Sequence, residues 1–377
     1  MALLLTILAF IVIIGGAVFV HELGHFLAAK RNGVKVEEFV LGFPPIIYKK
    51  KIGETEYGLG LIPFGGYNRI LGEDTNDANA VGNPRSLEAQ KSSVKLWIIG
   101  GGILMNLALT VILFYFLAVF SGFQFWQPLF FPEYRFPLGE QQNYPMVLKT
   151  VEGSLAEKAG IQSREVILSA NGKTFSGADE FVKTMASSTD QQISFVLKDT
   201  KTGQERNLTV DFPVETGANR TLGVHLTDIA LLSYKDPAEK FTAGFLHSAN
   251  VTHFSFVTIG EIISTSFKEK TTDLLGASFI GPVGIFAATK VTIDRGFFEL
   301  VNLLAVVSLA LATTNILPIP AFDGGKLVFI GLQAIDKRRF SSQLQARIEQ
   351  VGALILIGLA VLITAKDLWV FKDIIFK

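Results

Sequence analysis

This chain of 377 residues contains no cysteine. That excludes disulfides, thiolate metal ligands and a cysteine nucleophile, so any bound transition metal must be held by His and Asp or Glu. Charge is scarce as well. Charged residues make up 18%, against about 25% in ordinary soluble domains. Lys and Arg balance Asp and Glu at 34 each, so there is no basic surplus to hold a phosphate backbone, and nucleic acid is not an expected partner. The first apolar run, residues 2–20, has no Lys or Arg before it and no small-x-small site after it. It therefore reads as a retained helix rather than a cleaved leader.

What the chain does have is apolar sequence, 49% of its residues, gathered in runs long enough to span a bilayer. The run from residue 2 continues as helix to about residue 30. A second covers 94–120, with glycines at 100–102. A third covers 297–317 and stops at Pro318, and a fourth, short at about 351–364, lies in a helix expected over 346–366. Basic residues cluster between the first and second runs, and again between the third and fourth at Lys326, Lys337, Arg338, Arg339 and Arg347. The positive-inside rule places both loops in the cytoplasm, with the termini and the long segment 121–296 outside. Segment 237–270 is rich in Ser, Thr and aromatic residues and is expected to lie at the membrane surface as a helix.

Two further segments have their own patterns. Residues 146–212 read as a small soluble domain. Its strands are expected at 147–151, 166–170, 193–197 and 207–212, and its helices at 154–160 and 178–187. Ser154 and Gly160 cap the first helix, and Asn171-Gly172 marks a turn. Within the loop 31–93, residues 46–51 and 55–61 read as strands around Ile52-Gly53-Glu54, after which Pro63-Phe64-Gly65-Gly66-Tyr67 turns the chain. Such a hairpin could offer a strand edge to an extended substrate. From pattern alone a plain structural hairpin is the simpler reading.

The most specific pattern is His21-Glu22-Leu23-Gly24-His25, directly after the first apolar run. On a helix the two imidazoles at i and i+4 share one face and can grip one zinc ion, with the glutamate as general base. The competing reading is a chance pair of helix-end histidines. Location weighs against it, because ionisable groups inside a membrane are costly and are functional candidates by default. Catalytic zinc needs a third protein ligand. Glu37, Glu38 and Glu54 lie in a charged loop, and His225, His247 and His253 lie on the other side of the membrane. Asp323, in Asn315-Ile-Leu-Pro-Ile-Pro-Ala-Phe-Asp-Gly-Gly325, is better placed. It follows a span that runs in the same direction as the first, so both reach one depth. Pro318 and Pro320 break the helix there. Asn315 is a candidate donor to a developing oxyanion, or else satisfies loose backbone at the break.

Taken together, these motifs resemble the bacterial site-2 proteases, the membrane zinc metalloproteases of the regulator-of-sigma-E protease type. The resemblance rests on His21–His25, on Asn32-Gly-Val-Lys-Val-Glu-Glu-Phe39 leading to Gly42-Phe43, and on Glu56-Tyr57 and Ile62-Pro-Phe-Gly-Gly-Tyr67. It continues through Gly101-Gly-Ile-Leu-Met-Asn106, Gly281-Pro-Val-Gly-Ile285 and 315–325. It implies a multi-pass α-helical membrane protein with four transmembrane helices, an inserted α+β PDZ-like domain over 146–212 and a membrane-associated β-hairpin near Gly65-Gly66. It also implies residence in the inner (cytoplasmic) membrane with the active site near the cytoplasmic side and the PDZ-like domain outside. Zinc would be held by His21, His25 and Asp323, with Glu22 as base and Asn106 packed near the site. The substrates implied are single-pass membrane proteins such as anti-sigma factors and signal-peptide remnants, with a peptide C-terminus as a possible partner of the PDZ-like domain. One departure stands out: the family's usual Gly-Asp before the second PDZ strand is Arg164-Glu165 here. A silent membrane scaffold or a zinc transporter are the alternatives. The intact Glu22 argues against the first, and the few polar groups along the first and fourth spans argue against the second.

Overall fold

The computed structural model describes residues 2–73, 78–212, 221–270, 279–336 and 338–375; Lys337 lies outside them. In chain order the elements are α1 (Ala2–Arg31), β1 (Val36–Ile52), β2 (Thr55–Ile70), a 3-10 turn (Ala78–Ala80), α2 (Ser92–Phe120), β3 (Gln124–Pro128), β4 (Glu140–Thr150), α3 (Leu155–Lys158), β5 (Glu165–Ala170) and α4 (Ala178–Ser187). They continue with β6 (Gln192–Asp199), β7 (Glu205–Asp211), β8 (Val224–Ser233), α5 (Pro237–Glu269), α6 (Pro282–Ile293), α7 (Phe297–Ile316), α8 (Asp323–Ile335), α9 (Ser342–Val370) and α10 (Lys372–Ile375). The contacts divide into two compact units, one built from residues up to 114 and from 259 onward, the other Tyr115–Thr258.

In the first unit, α1, α2, α7 and α9 are the helices long and apolar enough to cross a membrane. Each satisfies its own backbone hydrogen bonds, as an apolar medium requires. Apolar contact alone does not hold such helices together in lipid, so small and polar residues do so. Ser308 Oγ donates to the Asn106 carbonyl at 3.0 Å and Thr110 Oγ1 to the Ala305 carbonyl at 3.3 Å, tying α7 to α2. Ile13 and Ala17 of α1 pack on Val307 of α7. Where α1 meets α2 the backbones touch. A Cβ on Gly24 would lie 2.2 Å from the Gly101 carbonyl oxygen, so glycine alone fits that crossing.

The fourth span is longer than its apolar stretch suggests. Gln, Arg, Glu and Lys flank the apolar core but are good helix formers, and Ser341 caps the helix by accepting from the Leu344 N–H at 3.2 Å. Near its far end, buried Asp367 accepts from the N–H groups of Gly281 (2.7 Å) and Gly284 (2.9 Å), fastening the start of α6.

The hairpin is also more than two strands. Residues 49–52 pair with 55–58, as expected. The chain before them, 38–41, pairs with 56–59 on one side and with 66–69 on the other. The strip therefore has four rungs, in the order 46–52, 55–60, 38–41, 66–69. The fold-back at Gly42 (φ 80°) explains the difference. A Cβ there would lie 2.7 Å from the Ile62 carbonyl oxygen, so the strip closes only with glycine at this place. Its tip is fastened to the end of α1 by Glu54. That carboxylate pairs with Arg85 (2.7 Å) and Lys30 (2.8 Å), which together hold it down at about pKa 2.

The second unit is a six-stranded antiparallel sheet in the order β3-β8-β4-β5-β6-β7. Its core joins Val147, Ile167, Phe175, Phe181, Phe195 and Leu197. Ser154 caps α3 by accepting from the Glu157 N–H at 3.2 Å, and Asn171 and Gly172 take positive φ of 48° and 77°, the geometry of the expected turn. Arg164 also takes positive φ, 74°, a conformation that L side chains adopt at a cost. Glu165 beside it is buried against Arg206, paired through Oε1 (2.6 Å) and Oε2 (2.8 Å). The part of α5 in this unit packs against the sheet through polar residues. His247 stacks on Phe125 at 3.7 Å, and Asn250 bonds the Leu138 backbone.

Candidate metal centre

The helical spacing of α1 puts His21 and His25 on one face, one turn apart. Their Nε2 atoms lie 3.2 Å from each other. Asp323 arrives from the opposite end of the sequence. After α7 ends, the chain turns through 317–322 and Asp323 opens α8. That turn is tight: a Cβ on Gly324 would meet the Leu317 carbonyl oxygen at 2.2 Å, and one on Gly325 the Ile319 carbonyl oxygen at 2.5 Å. Asp323 Oδ2 is thereby held 3.1 Å from His21 Nε2 and 3.2 Å from His25 Nε2. One turn on, Lys326 pairs with Glu73 at 2.6 Å and fixes the start of α8 to the chain after β2.

The three atoms form a nearly equilateral triangle. Ligands about 2.05 Å from a tetrahedral zinc stand about 3.3 Å apart, so the spacing suits that ion. The chemistry suits it too. His25 Nδ1 is 2.9 Å from the Ile98 carbonyl oxygen, an acceptor, so the ring's proton sits on Nδ1 and Nε2 presents a lone pair. Asp323 Oδ2 is buried without a hydrogen-bond donor. Lone pairs converging on one buried point call for a cation. The Asn106 amide lies 3.4 Å from His21 Nδ1, and its Oδ1 is buried without a partner. An amide turned so that Oδ1 accepts from a His21 Nδ1–H resolves both facts and frees the second Nε2 in the same way.

Glycine makes the room. A Cβ on Gly102 would stand 2.4 Å from His25 Nε2 and 2.7 Å from His21 Cε1. Glu22 shares the helix turn with both histidines. The carboxylates set aside in the sequence are occupied elsewhere: Glu37 and Glu38 near Arg69, Glu54 with Arg85. Asn315 sits on the last turn of α7, ahead of the turn that leads to Asp323. Two contributors were not singled out as contacts in the sequence. Gly102 carries no polar signal, and Asn68, whose amide reaches Glu22 from β2, stands 46 residues away with no spacing relation to it.

The model of peptidase family M50 matches residues 9–359. The chain belongs to this family. A Clostridium perfringens relative whose name assigns it, provisionally, to the zinc metalloproteases is 30% identical over 353 residues, covering 93% of this chain and 95% of its own. This M50 peptidase is also 25% identical to the zinc metalloprotease RasP of Geobacillus kaustophilus, over 97% of this chain and 98% of that one. With the regulator of sigma-W protease RasP of Bacillus subtilis it shares 24% identity over 96% and 98%. Family M50 is that of the site-2 proteases, and the match spans α1 through most of α9, so it includes all three vertices of the triangle.

Proposed function

We propose that this chain, a zinc metalloprotease of family M50, cuts the transmembrane segments of single-pass membrane proteins. The observation that carries the reading is the triangle of His21, His25 and Asp323, with both histidines and Glu22 on a helix suited to a membrane. The three side chains hold zinc. Bound there, the ion supplies Lewis acidity that lowers the pKa of a water and polarises a peptide carbonyl. Glu22 takes the proton of the attacking water and returns it to the leaving amine. Asn315 donates to the developing oxyanion from the end of α7.

A helical substrate hides its carbonyls in hydrogen bonds and must be drawn out before attack. Strand addition to the edge at residues 66–69 would do this; among the described residues no strand pairs with the outer edge of that rung. Gly66 lies beside the base, a Cβ there standing 3.7 Å from Glu22 Cγ, so a strand added at that edge would pass close to the site. The name of the Bacillus subtilis relative, regulator of sigma-W protease, supports anti-sigma factors as one substrate class, with signal-peptide remnants as a second.

The site is read as lying near the cytoplasmic side of the inner membrane, on the strength of the basic loops. The sheet of the second unit is read as a PDZ-like domain outside, receiving the C-terminus of a trimmed substrate. Exposed Phe241, Phe245, Phe256, Ile259, Ile263 and Phe267 recur at helical spacing along α5, which supports a helix resting on the membrane surface.

The test is Glu22→Gln, assayed on a tagged single-span substrate in membranes. Cleavage should fall by at least about a hundredfold with zinc content unchanged. Cleavage at the original rate would remove Glu22 as the base.

A further inference from the structure

The strand beside the site does more than pass it. Asn68 Nδ2 donates to the Glu22 backbone carbonyl at 2.6 Å and to Glu22 Oε2 at 2.8 Å. The carbonyl can only accept, so the amide has its NH2 toward Glu22 and no turned-over arrangement fits. Both donors of one amide thus close a ring through the main chain and the side-chain end of the same residue. A glutamate on a helix has three rotatable side-chain bonds, and ordering them costs rotamer entropy. The two-point clamp meets that cost in advance and leaves Oε1 as the free oxygen.

We propose that Asn68 is a positioning residue for the proteolytic reaction: it fixes the rotamer of Glu22 and refers it to the strand that receives the substrate. Asn68 belongs to the rung 66–69, which pairs on one side with 38–41. A substrate strand added to the other side would share its frame with the base. The carboxylate and the scissile backbone are then set by one rigid strip rather than by two independent elements, which is the condition for a short, aligned proton transfer. The proposal rests on Glu22 being the base and on strand addition at this edge.

The test uses the full-length protein in detergent or nanodiscs with a tagged single-span substrate, reading kcat, KM and zinc per chain. Asn68→Ala removes the clamp; kcat should fall about ten- to a hundredfold, with KM within about twofold and zinc content unchanged. Asn68→Asp keeps the volume but replaces both donors with a carboxylate facing Glu22, and should be slower still. A role in packing alone predicts the reverse order, with Asn68→Asp near wild type, and that result overturns the proposal. Zinc lost in step with kcat also overturns it, since Asn68 would then be supporting the ligand helix. Should Asn68→Ala lower the melting temperature sharply, the volume-preserving Asp variant carries the test. Glu22→Gln run alongside separates the failures. If it still cleaves, the base reading falls. If it is inactive while Asn68→Asp is active, only the positioning role falls.

Discussion

Both units of the molecule bury histidine and asparagine, and they do opposite things with them. In the sheet unit, His247 is fully buried, with Gln127 Nε2 at 3.3 Å from one ring nitrogen and Tyr234 Oη at 3.2 Å from the other. Asn250 accepts from the Leu138 N–H and donates to the Leu138 carbonyl and to Tyr234 Oη. Every polar atom of that group has a protein partner, as a structural network must. In the membrane unit, Asp323 Oδ2 is buried without a hydrogen-bond donor, 3.1 and 3.2 Å from the Nε2 atoms of His21 and His25. Burial alone therefore does not separate a site from a core. A closed network is finished, whereas converging unmatched acceptors are arranged for something the chain itself does not supply.

The sharpest way to break this contrast is at the triangle. Asp323→Ala should abolish cleavage and reduce zinc, measured by elemental analysis, to a small fraction of the wild-type content. Full zinc content would show that the two histidines suffice and that Asp323 is ordinary. Next comes the space beside them. In Gly102→Ala the added carbon would sit 2.4 Å from His25 Nε2, so a ligand or a helix must shift; a loss of about a hundredfold in cleavage is expected, with zinc content lowered in parallel. Asn106→Leu removes the partner of His21 without touching a ligand. Zinc affinity, measured by competition with a chelator, should weaken about ten- to a hundredfold. An unchanged affinity would mean that the amide serves only helix packing.

The smallest effect belongs to the closed network and concerns stability alone. Burial lowers the His247 pKa to about 3, below the ordinary value of about 6.5. Between those values the unfolded chain binds a proton that the folded chain refuses. The sheet unit should keep its full stability above about pH 6.5 and lose it as pH falls toward 3, by at most about 1.4 kcal/mol per pH unit for one such group. His247→Phe should flatten that slope in thermal melts across this range and leave zinc content untouched. A slope that persists would place the titrating group elsewhere.

How far these features could be read from the sequence depends on how local they are. The positions of His21, Glu22 and His25 follow from one helical repeat. Asp323 was reached through span direction together with Pro318 and Pro320, and the two prolines lie in the turn that leads to it. In the sheet unit, capping and turn residues marked elements whose boundaries lie within a few residues of those expected, apart from β4, which begins earlier. The fold-back at Gly42 was hidden because a strand that reverses and pairs beside itself has the same alternation as one long strand. The clamp of Asn68 on Glu22 was hidden for a related reason, since contacts made across a strip of four rungs leave no period in the sequence. The full length of α9 was obscured by flanking polar residues that are good helix formers. Asn315 remains where its place in the chain suggested, at the end of α7, while the triangle forms from the turn beyond it.

Gly102 has a genetic consequence. Every missense change from a glycine codon, whatever base is altered, introduces a residue with a Cβ, and at this position the Cβ would stand 2.4 Å from His25 Nε2. The codon thus has no benign amino-acid neighbour. In a saturation screen position 102 should behave like a catalytic residue although it has no side chain, with only synonymous changes surviving selection for protease function.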